Sequence, residues 1–376
     1  MAHVTEPACA LTGAATKVLA HPWMAQLLDF IAQPSASEEA FNQLALKLFA
    51  HQFDHNQPFQ RFCQSRSKTP RTVKTWSDIP AVPINAFKDL TLSCVPAEDC
   101  ARTFMTSGTT RGDVKGRHHH PSLAVYDISM RRNFAQQVLP ESARCPMGIL
   151  FPTEAMLPHS SLAHYLALAV EHFGTPDSAW FIDEQGLRLE ALVQRLQQAQ
   201  ATQQPFMLLG ASYSFVHLMD ALQSRGLRFA LPEGSRLLDT GGFKSQSREL
   251  PMDAFYDQLS ATFGVPRQRC QNMYGMTELS TQFYDAGNAQ TPSVKRGPHW
   301  IRSRVVDPLT GQAVPDGERG ILAHTDLANL NSVVTLLTED VGQTQDGGFV
   351  LLGRAQGAQA KGCSLAVDAF LRASQA

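Results

Sequence analysis

Apolar positions recur at helical spacing in Met24-Leu27-Leu28-Ile31 and again in Phe41-Leu44-Leu48, so the chain is expected to be helical from its start to about residue 75. The pattern changes over 76–92. There Ile79-Pro80-Ala81-Val82-Pro83-Ile84 reads as extended, because a proline steers the residue before it away from helical backbone angles. Farther along, short apolar runs alternate with amphipathic stretches. Gly148-Ile149-Leu150-Phe151-Pro152 and Phe206-Met207-Leu208-Leu209-Gly210 read as buried strands, and Leu237-Leu238-Asp239 and Cys270-Gln271-Asn272-Met273-Tyr274 as two further strand ends. Residues 188–200 put Leu189, Leu192, Val193 and Leu196 on one helix face. Strands alternating with helices predict an α/β sheet. From about Ile301 short β segments separated by Pro-Asp-Gly and Asp-Gly-Gly turns predict a small β subdomain. The expected organisation is an α/β domain over 1–300 with a helical N-terminal segment, a β subdomain over 301–352 and a C-terminal tail over 353–376.

With 376 residues, 43% of them hydrophobic, the chain is long enough to bury a large core. A net charge of −2 gives no basic footprint for nucleic acid and no polybasic membrane patch. There is no apolar run of membrane-spanning length and no secretory signal pattern at the N-terminus. Seven cysteines, none in a C-x-x-C pair, disfavour a disulfide framework and a zinc ribbon, and a reducing cytoplasm fits best.

The densest chemistry lies in Thr106-Ser107-Gly108-Thr109-Thr110-Arg111-Gly112-Asp113-Val114-Lys115-Gly116. Glycines let backbone N–H groups approach an anion, hydroxyls add short hydrogen bonds and a lysine adds a mobile positive charge. This is the composition of a phosphate loop. A Walker A loop needs adjacent Gly and Lys, whereas Gly112 and Lys115 are three apart. Taken alone, the segment is equally a polar surface turn.

Its string nevertheless resembles the phosphate loop of the adenylate-forming enzymes, with Lys115-Gly116 at the expected distance and Arg111 where that family usually has its last loop glycine. Three further motifs follow in the order that family requires. Asp239-Thr240-Gly241-Gly242-Phe243-Lys244 resembles the adenine-binding turn, although by itself it is a plain turn. Tyr274-Gly275-Met276-Thr277-Glu278 matches the family's Y-G-x-T-E. The resemblance implies an aromatic ring for adenine, a hydroxyl for the α-phosphate and a carboxylate for Mg²⁺. Thr338-Glu339-Asp340 with Gly353-Arg354 resembles the T-G-D and G-R series, with Glu339 in place of glycine. Asp340 would hold the ribose and Arg354 the nucleotide.

The C-terminal stretch Lys361-Gly362-Cys363-Ser364-Leu365 resembles that of the acyl-protein synthetases (LuxE-type), the component of bacterial fatty-acid reductases that activates the fatty acid. Two other segments agree with that group: the run from Ile79 through Pro83 to Phe87-Lys88, and Gly241-Gly242-Phe243-Lys244. The chain stops 22 residues after Arg354, so the lid domain of most adenylating enzymes is expected to be largely absent. The resemblance implies ATP and Mg²⁺ as cofactors, a carboxylic acid substrate of the long-chain fatty class, and an acyl-AMP intermediate. It further implies transfer to Cys363 as a thioester and a partner that takes the acyl group on, either an acyl reductase or a carrier protein. The expected site is Cys363, Lys115 and Thr277 for catalysis and Glu278 for metal. Thr106, Ser107, Gly108, Thr109, Thr110, Gly112, Gly241, Gly242, Lys244, Tyr274, Gly275, Asp340 and Arg354 would hold the nucleotide.

Other readings compete. An acyl- or aryl-CoA ligase of the phenylacetate type would need the same nucleotide motifs, and a non-catalytic subunit of a multienzyme complex would need none. Gly210-Ala211-Ser212 imitates a nucleophile elbow, for which Asp239 with His299 or His324 would complete a hydrolase triad, although Ser214 replaces the second glycine. His118-His119-His120 reads as a solvated turn near the phosphate loop, since three consecutive histidines do not converge on one ion from a helix or strand.

Overall fold

Helix formation begins where apolar periodicity meets a capping residue. The computed structural model describes residues 22–107, 114–141, 144–243 and 247–375. Helices α1 (Pro22–Ala32), α2 (Glu38–His55) and α3 (Gln57–Ser65) open it. Ser37 caps α2 by accepting from the Ala40 amide, and Asn56 closes α2 and caps α3 in turn. Strand β1 (Val82–Pro83) and the single turn α4 (Ala86–Asp89) follow, then a hairpin of β2 (Arg102–Met105) and β3 (Arg117–His120).

An alternating unit comes next: α5 (Ala124–Gln137), β4 (Met147–Leu150), α6 (Ser161–Phe173), β5 (Ala179–Trp180), the small β6 (Ile182–Asp183) and β7 (Gly186–Leu187) pair, α7 (Leu189–Thr202), β8 (Met207–Ala211), α8 (Ser212–Ser224), β9 (Arg236–Thr240), α9 (Met252–Phe263), β10 (Cys270–Tyr274) and β11 (Phe283–Tyr284). The first sheet has the order β11-β10-β9-β8-β4-β5, parallel except for β11. Leu208 faces one apolar cluster, with α7, α8 and α9, and Leu209 the other, with α5 and α6. Helices on both faces explain why β8 is buried at every position and reads as an unbroken apolar run.

The second sheet is built from β12 (Val294–Lys295), β13 (Ile301–Val306), β14 (Arg319–Asp326), β15 (Thr335–Gln345) and β16 (Gly348–Arg354), in the order β12-β16-β15-β14-β13. Its strands are longer than the expected short segments, and two members lie outside 301–352: β12, and β1, which pairs in parallel with Leu336 and Leu337. Because β14 occupies the other edge of β15, β1 and β16 share one edge in succession, and Glu339 and Asp340 fall at their junction. Most of the C-terminal tail is helical. Helix α10 (Gly357–Gln375) packs on α3 and β1, with the Phe370 ring 4.6 Å from that of Phe62. No helix among the described residues is long and apolar enough to cross a membrane.

Candidate active site

The β2–β3 hairpin carries the loop with the phosphate-loop composition. Its base is closed by two hydrogen bonds: the Thr106 amide donates to the Gly116 carbonyl (3.0 Å), and the Gly116 amide to Thr106 Oγ1 (2.9 Å). Ser107 and Lys115 are exposed at the two ends. Gly108, Thr109, Thr110 and Gly112 lie outside the described residues, as does Lys244. Gly116 is a close-approach glycine. A Cβ there would sit 3.2 Å from Thr106 Cγ2 and 3.5 Å from Glu278 Oε1, so the loop base and the Glu278 carboxyl are neighbours.

Glu278 is 5% exposed, and among the described residues no side chain donates to its carboxyl. Burial lifts its pKa from the ordinary 4.5 to about 7, and only its own backbone amide and the more distant charges of Lys88 and Arg354 work against that. Its neighbour Thr277 is half-buried, with its carbonyl held by His118 Nδ1 at 2.9 Å, while His118 Nε2 meets Ser332 Oγ at 3.0 Å. The three histidines are therefore strand residues, buried at 1–6% exposure, and not a solvated turn. The β2–β3 pair and the 277–278 segment bury them, and desolvation depresses the His118 pKa to about 4, keeping it neutral. No described group of three or more His, Cys, Asp or Glu is arranged to hold a metal.

At the end of β10 the Tyr274 ring packs against Phe283, His324 and Phe349, and its hydroxyl donates to Asp340 Oδ2 at 2.7 Å. Arg354, the cross-strand partner of Asp340, donates to Asp340 Oδ1 (2.9 Å) and to Glu339 Oε2 (2.8 Å). Glu339 also accepts from Asn85. With 8% exposure, Tyr274 serves here as a buried tether for Asp340 more than as an open ring. Gly275, Gly241 and Gly242 are exposed, and Gly241 takes φ +75, an angle that favours glycine.

Ser212 does not meet a histidine. Its hydroxyl donates to Asp239 Oδ2 at 2.6 Å, and Asp239 also accepts from Tyr256 and Asn272, a closed network under β9. His299 bonds to the Phe30 carbonyl, and His324 to Ser303 and Tyr274. No triad assembles from the residues drafted for one.

The profile of the acyl-protein synthetases, LuxE, matches residues 29–371. The chain belongs to the LuxE acyl-protein synthetase family. A long-chain-fatty-acid–luciferin-component ligase of Aliivibrio fischeri is 22% identical over 307 residues, 81% of this chain and 79% of its own. The protein of the same name from Vibrio harveyi is 22% identical over 305 residues, 80% and 78% of the two chains. Among solved structures, 2-hydroxyisobutyryl-CoA ligase in complex with 2-HIB-AMP and CoA aligns with a TM-score of 0.64 at 15% identity, over 84% of this chain and 68% of that one. ATP-bound MatB from Rhodopseudomonas palustris aligns with a TM-score of 0.50 at 18% identity, over 69% and 49%. The fold is that of the adenylate-forming enzymes.

In this LuxE-family chain Cys363 lies on the inner face of α10, 4% exposed, among Val306, Ile321, Leu337, Val341 and Ala366. Its Sγ is 4.0 Å from the Thr338 carbonyl, two residues along β15 from Asp340. Burial and the Glu339 charge push its pKa up to about 11, against the pull of Arg354. Lys361, two residues before Cys363, is exposed on the helix, whereas Cys363 is buried. Motif reading alone left His118 and Asn85 without roles. The signal for Asn85 was the Ile79–Lys88 run, whose extended part becomes β1. For His118 no sequence signal exists beyond its distance from the loop.

Proposed function

We propose that this protein activates a carboxylic acid, of the long-chain fatty class, with ATP to form an acyl-AMP and then transfers the acyl group to a cysteine thiol. The observation that carries the reading is the meeting of three motifs distant in sequence: the loop base at Thr106 and Gly116, the buried Glu278 carboxyl, and the Tyr274–Asp340–Arg354 cluster. Membership of the LuxE family and the likeness to the two long-chain-fatty-acid–luciferin-component ligases support the acid class.

Each part has a chemical task. Backbone amides and hydroxyls of 106–116 with Lys115 would cradle the phosphates, and Thr277 would reach the α-phosphate. Gly241 and Gly242 would admit the flat adenine, and Asp340, oriented by Arg354 and Tyr274, would accept from ribose hydroxyls. The acid's carboxylate oxygen bonds to the α-phosphorus, and pyrophosphate leaves with the electron pair of the broken P–O bond. Mg²⁺ fits the site, because Glu278 is a buried carboxyl with no side-chain donor beside a phosphate loop, and this ion binds through one or two carboxylates plus phosphate oxygens. When bound, it would neutralise charge on the phosphates.

The acceptor divides two readings. Cys363 sits two residues along β15 from Asp340, which favours it as the thiol that attacks the acyl carbon and releases AMP. Its burial and raised pKa instead favour an external thiol, such as that of coenzyme A or a carrier, in this arrangement of α10. A reductase would then draw the acyl group onward. Acid-dependent exchange of labelled pyrophosphate into ATP tests the first half-reaction. Exchange with fatty acids is the expected result, and no exchange with any acid would overturn the adenylation reading.

A further inference from the structure

Strand β1 delivers the chain to the site from an unexpected direction. It fills the edge of β15 beyond the end of β16, the Ile84 amide donates to the Leu337 carbonyl at 3.0 Å, and Asn85 then reaches the Glu339 carboxylate. The next residues form the single turn α4. Phe87 is 1% exposed, with its ring 5.8 Å from that of His118. Its Cβ lies 3.5 Å from where a Gly116 side chain would begin, the same point that is 3.5 Å from Glu278 Oε1. Phe87 is therefore wedged at the base of the phosphate loop, and the residue after it is Lys88.

Lys88 is half-buried, and among the described residues its ammonium has no carboxylate within ion-pair distance and no hydrogen-bond acceptor, while its backbone amide donates to the Asn85 carbonyl. The other cations near this centre are differently placed. Arg354 is committed to Asp340 and Glu339, and Lys115 is exposed at the loop end. Lys88 acts on the Glu278 carboxyl more strongly than Arg354 does. A half-buried ammonium without an acceptor, within electrostatic reach of a buried carboxylate that has no side-chain donor, leaves each group available to a third party that carries anionic oxygens.

We propose that Lys88 is a catalytic residue of adenylation, its ammonium donating to phosphate oxygens of the nucleotide from the segment that follows β1. The inference rests on the adenylation reading above. As the bond between the acid's oxygen and the α-phosphorus forms and the bond to the pyrophosphate oxygen breaks, charge grows on the non-bridging and leaving oxygens. Lys88 stabilises that charge through N–H donation and keeps its proton throughout, so no acid or base is needed to balance the step. A compact ammonium on a flexible stem suits this better than a planar guanidinium.

The test is steady-state exchange of labelled pyrophosphate into ATP with wild type, Lys88→Met and Lys88→Arg, beside thermal melts of each. Lys88→Met should lower kcat by about 100-fold or more while KM for ATP moves by less than about threefold, and Lys88→Arg should recover part of the rate. If Lys88 only offsets the burial of Glu278, the Met variant would instead shift the pH profile upward and regain wild-type turnover at high pH. That result, or unchanged turnover, would overturn the proposal while wild-type exchange keeps adenylation standing. Absence of acid-dependent exchange in the wild type would overturn both. Should Lys88→Met melt early, Lys88→Gln carries the same comparison.

Discussion

Replacing Glu278 by glutamine should make the protein more stable and inactive, with a pH dependence that identifies the cause. Burial raises the folded carboxyl from the ordinary 4.5 to about 7, so between those values the folded chain holds a proton that the unfolded chain has released. Stability therefore falls as pH rises through that window. A displacement of that size corresponds to about 3 kcal/mol, fully present above pH 7. Glutamine has the same shape and no charge to bury. Unfolding entropy of about 2.1 cal/mol/K per residue, taken over the whole chain, converts 3 kcal/mol to a rise of about 4 °C in Tm. Glu278→Gln should gain that much at pH 8 and only about a quarter of it at pH 5, measured by thermal melts in matched buffers. Acid-dependent pyrophosphate exchange should be lost at both pH values, and wild-type exchange should climb as pH rises through about 7. An equal gain at pH 5 and pH 8, or a loss of stability at pH 8, would refute the claim that Glu278 is a desolvated carboxyl kept for function at the expense of the fold.

Asp340→Ala strands the Tyr274 hydroxyl and the Arg354 fork, and should destabilise by about 2 kcal/mol while raising KM for ATP; unfolding curves and exchange kinetics on the same preparation check both effects. Phe370→Ala deletes a fully buried ring that pins α10 to Phe62, and should cost about 3 to 5 kcal/mol. The same change should speed alkylation of Cys363 by iodoacetamide; an unchanged labelling rate would mean that α10 is held elsewhere.

Local features of the fold were readable in advance, and long-range ones were not. Met207–Ala211 announces itself because two helical layers require an unbroken apolar run, and Leu192, Val193 and Leu196 mark the buried face of α7 by their spacing. The pairing of Val82 and Pro83 with Leu336 and Leu337 joins segments some 250 residues apart, which no local pattern announces. Helix α10 is unannounced for a related reason. Gly357 and Gly362 weaken its intrinsic preference, and it is tertiary packing, of Phe370 on Phe62 and of Gly362 close to Pro308, that holds it helical. The histidines of β3 were misplaced because polar residues suggest solvent, whereas Thr277, Ser332 and Thr103 satisfy His118 and His119 inside the fold. The motifs proposed to form the candidate site stand in the sequence. Their geometry does not: Glu339 occupies a glycine's place because Asn85 and Arg354 are there to receive its carboxylate.

The most direct test of the account is intact-mass spectrometry after incubation with ATP, Mg²⁺ and a panel of fatty and aromatic acids, with Cys363→Ser alongside. The account predicts a gain of one acyl mass that hydroxylamine removes and the serine variant lacks, while both proteins exchange pyrophosphate into ATP. Exchange without protein acylation would contradict the transfer to Cys363, leaving an adenylating enzyme that hands its acyl group to a thiol on another molecule.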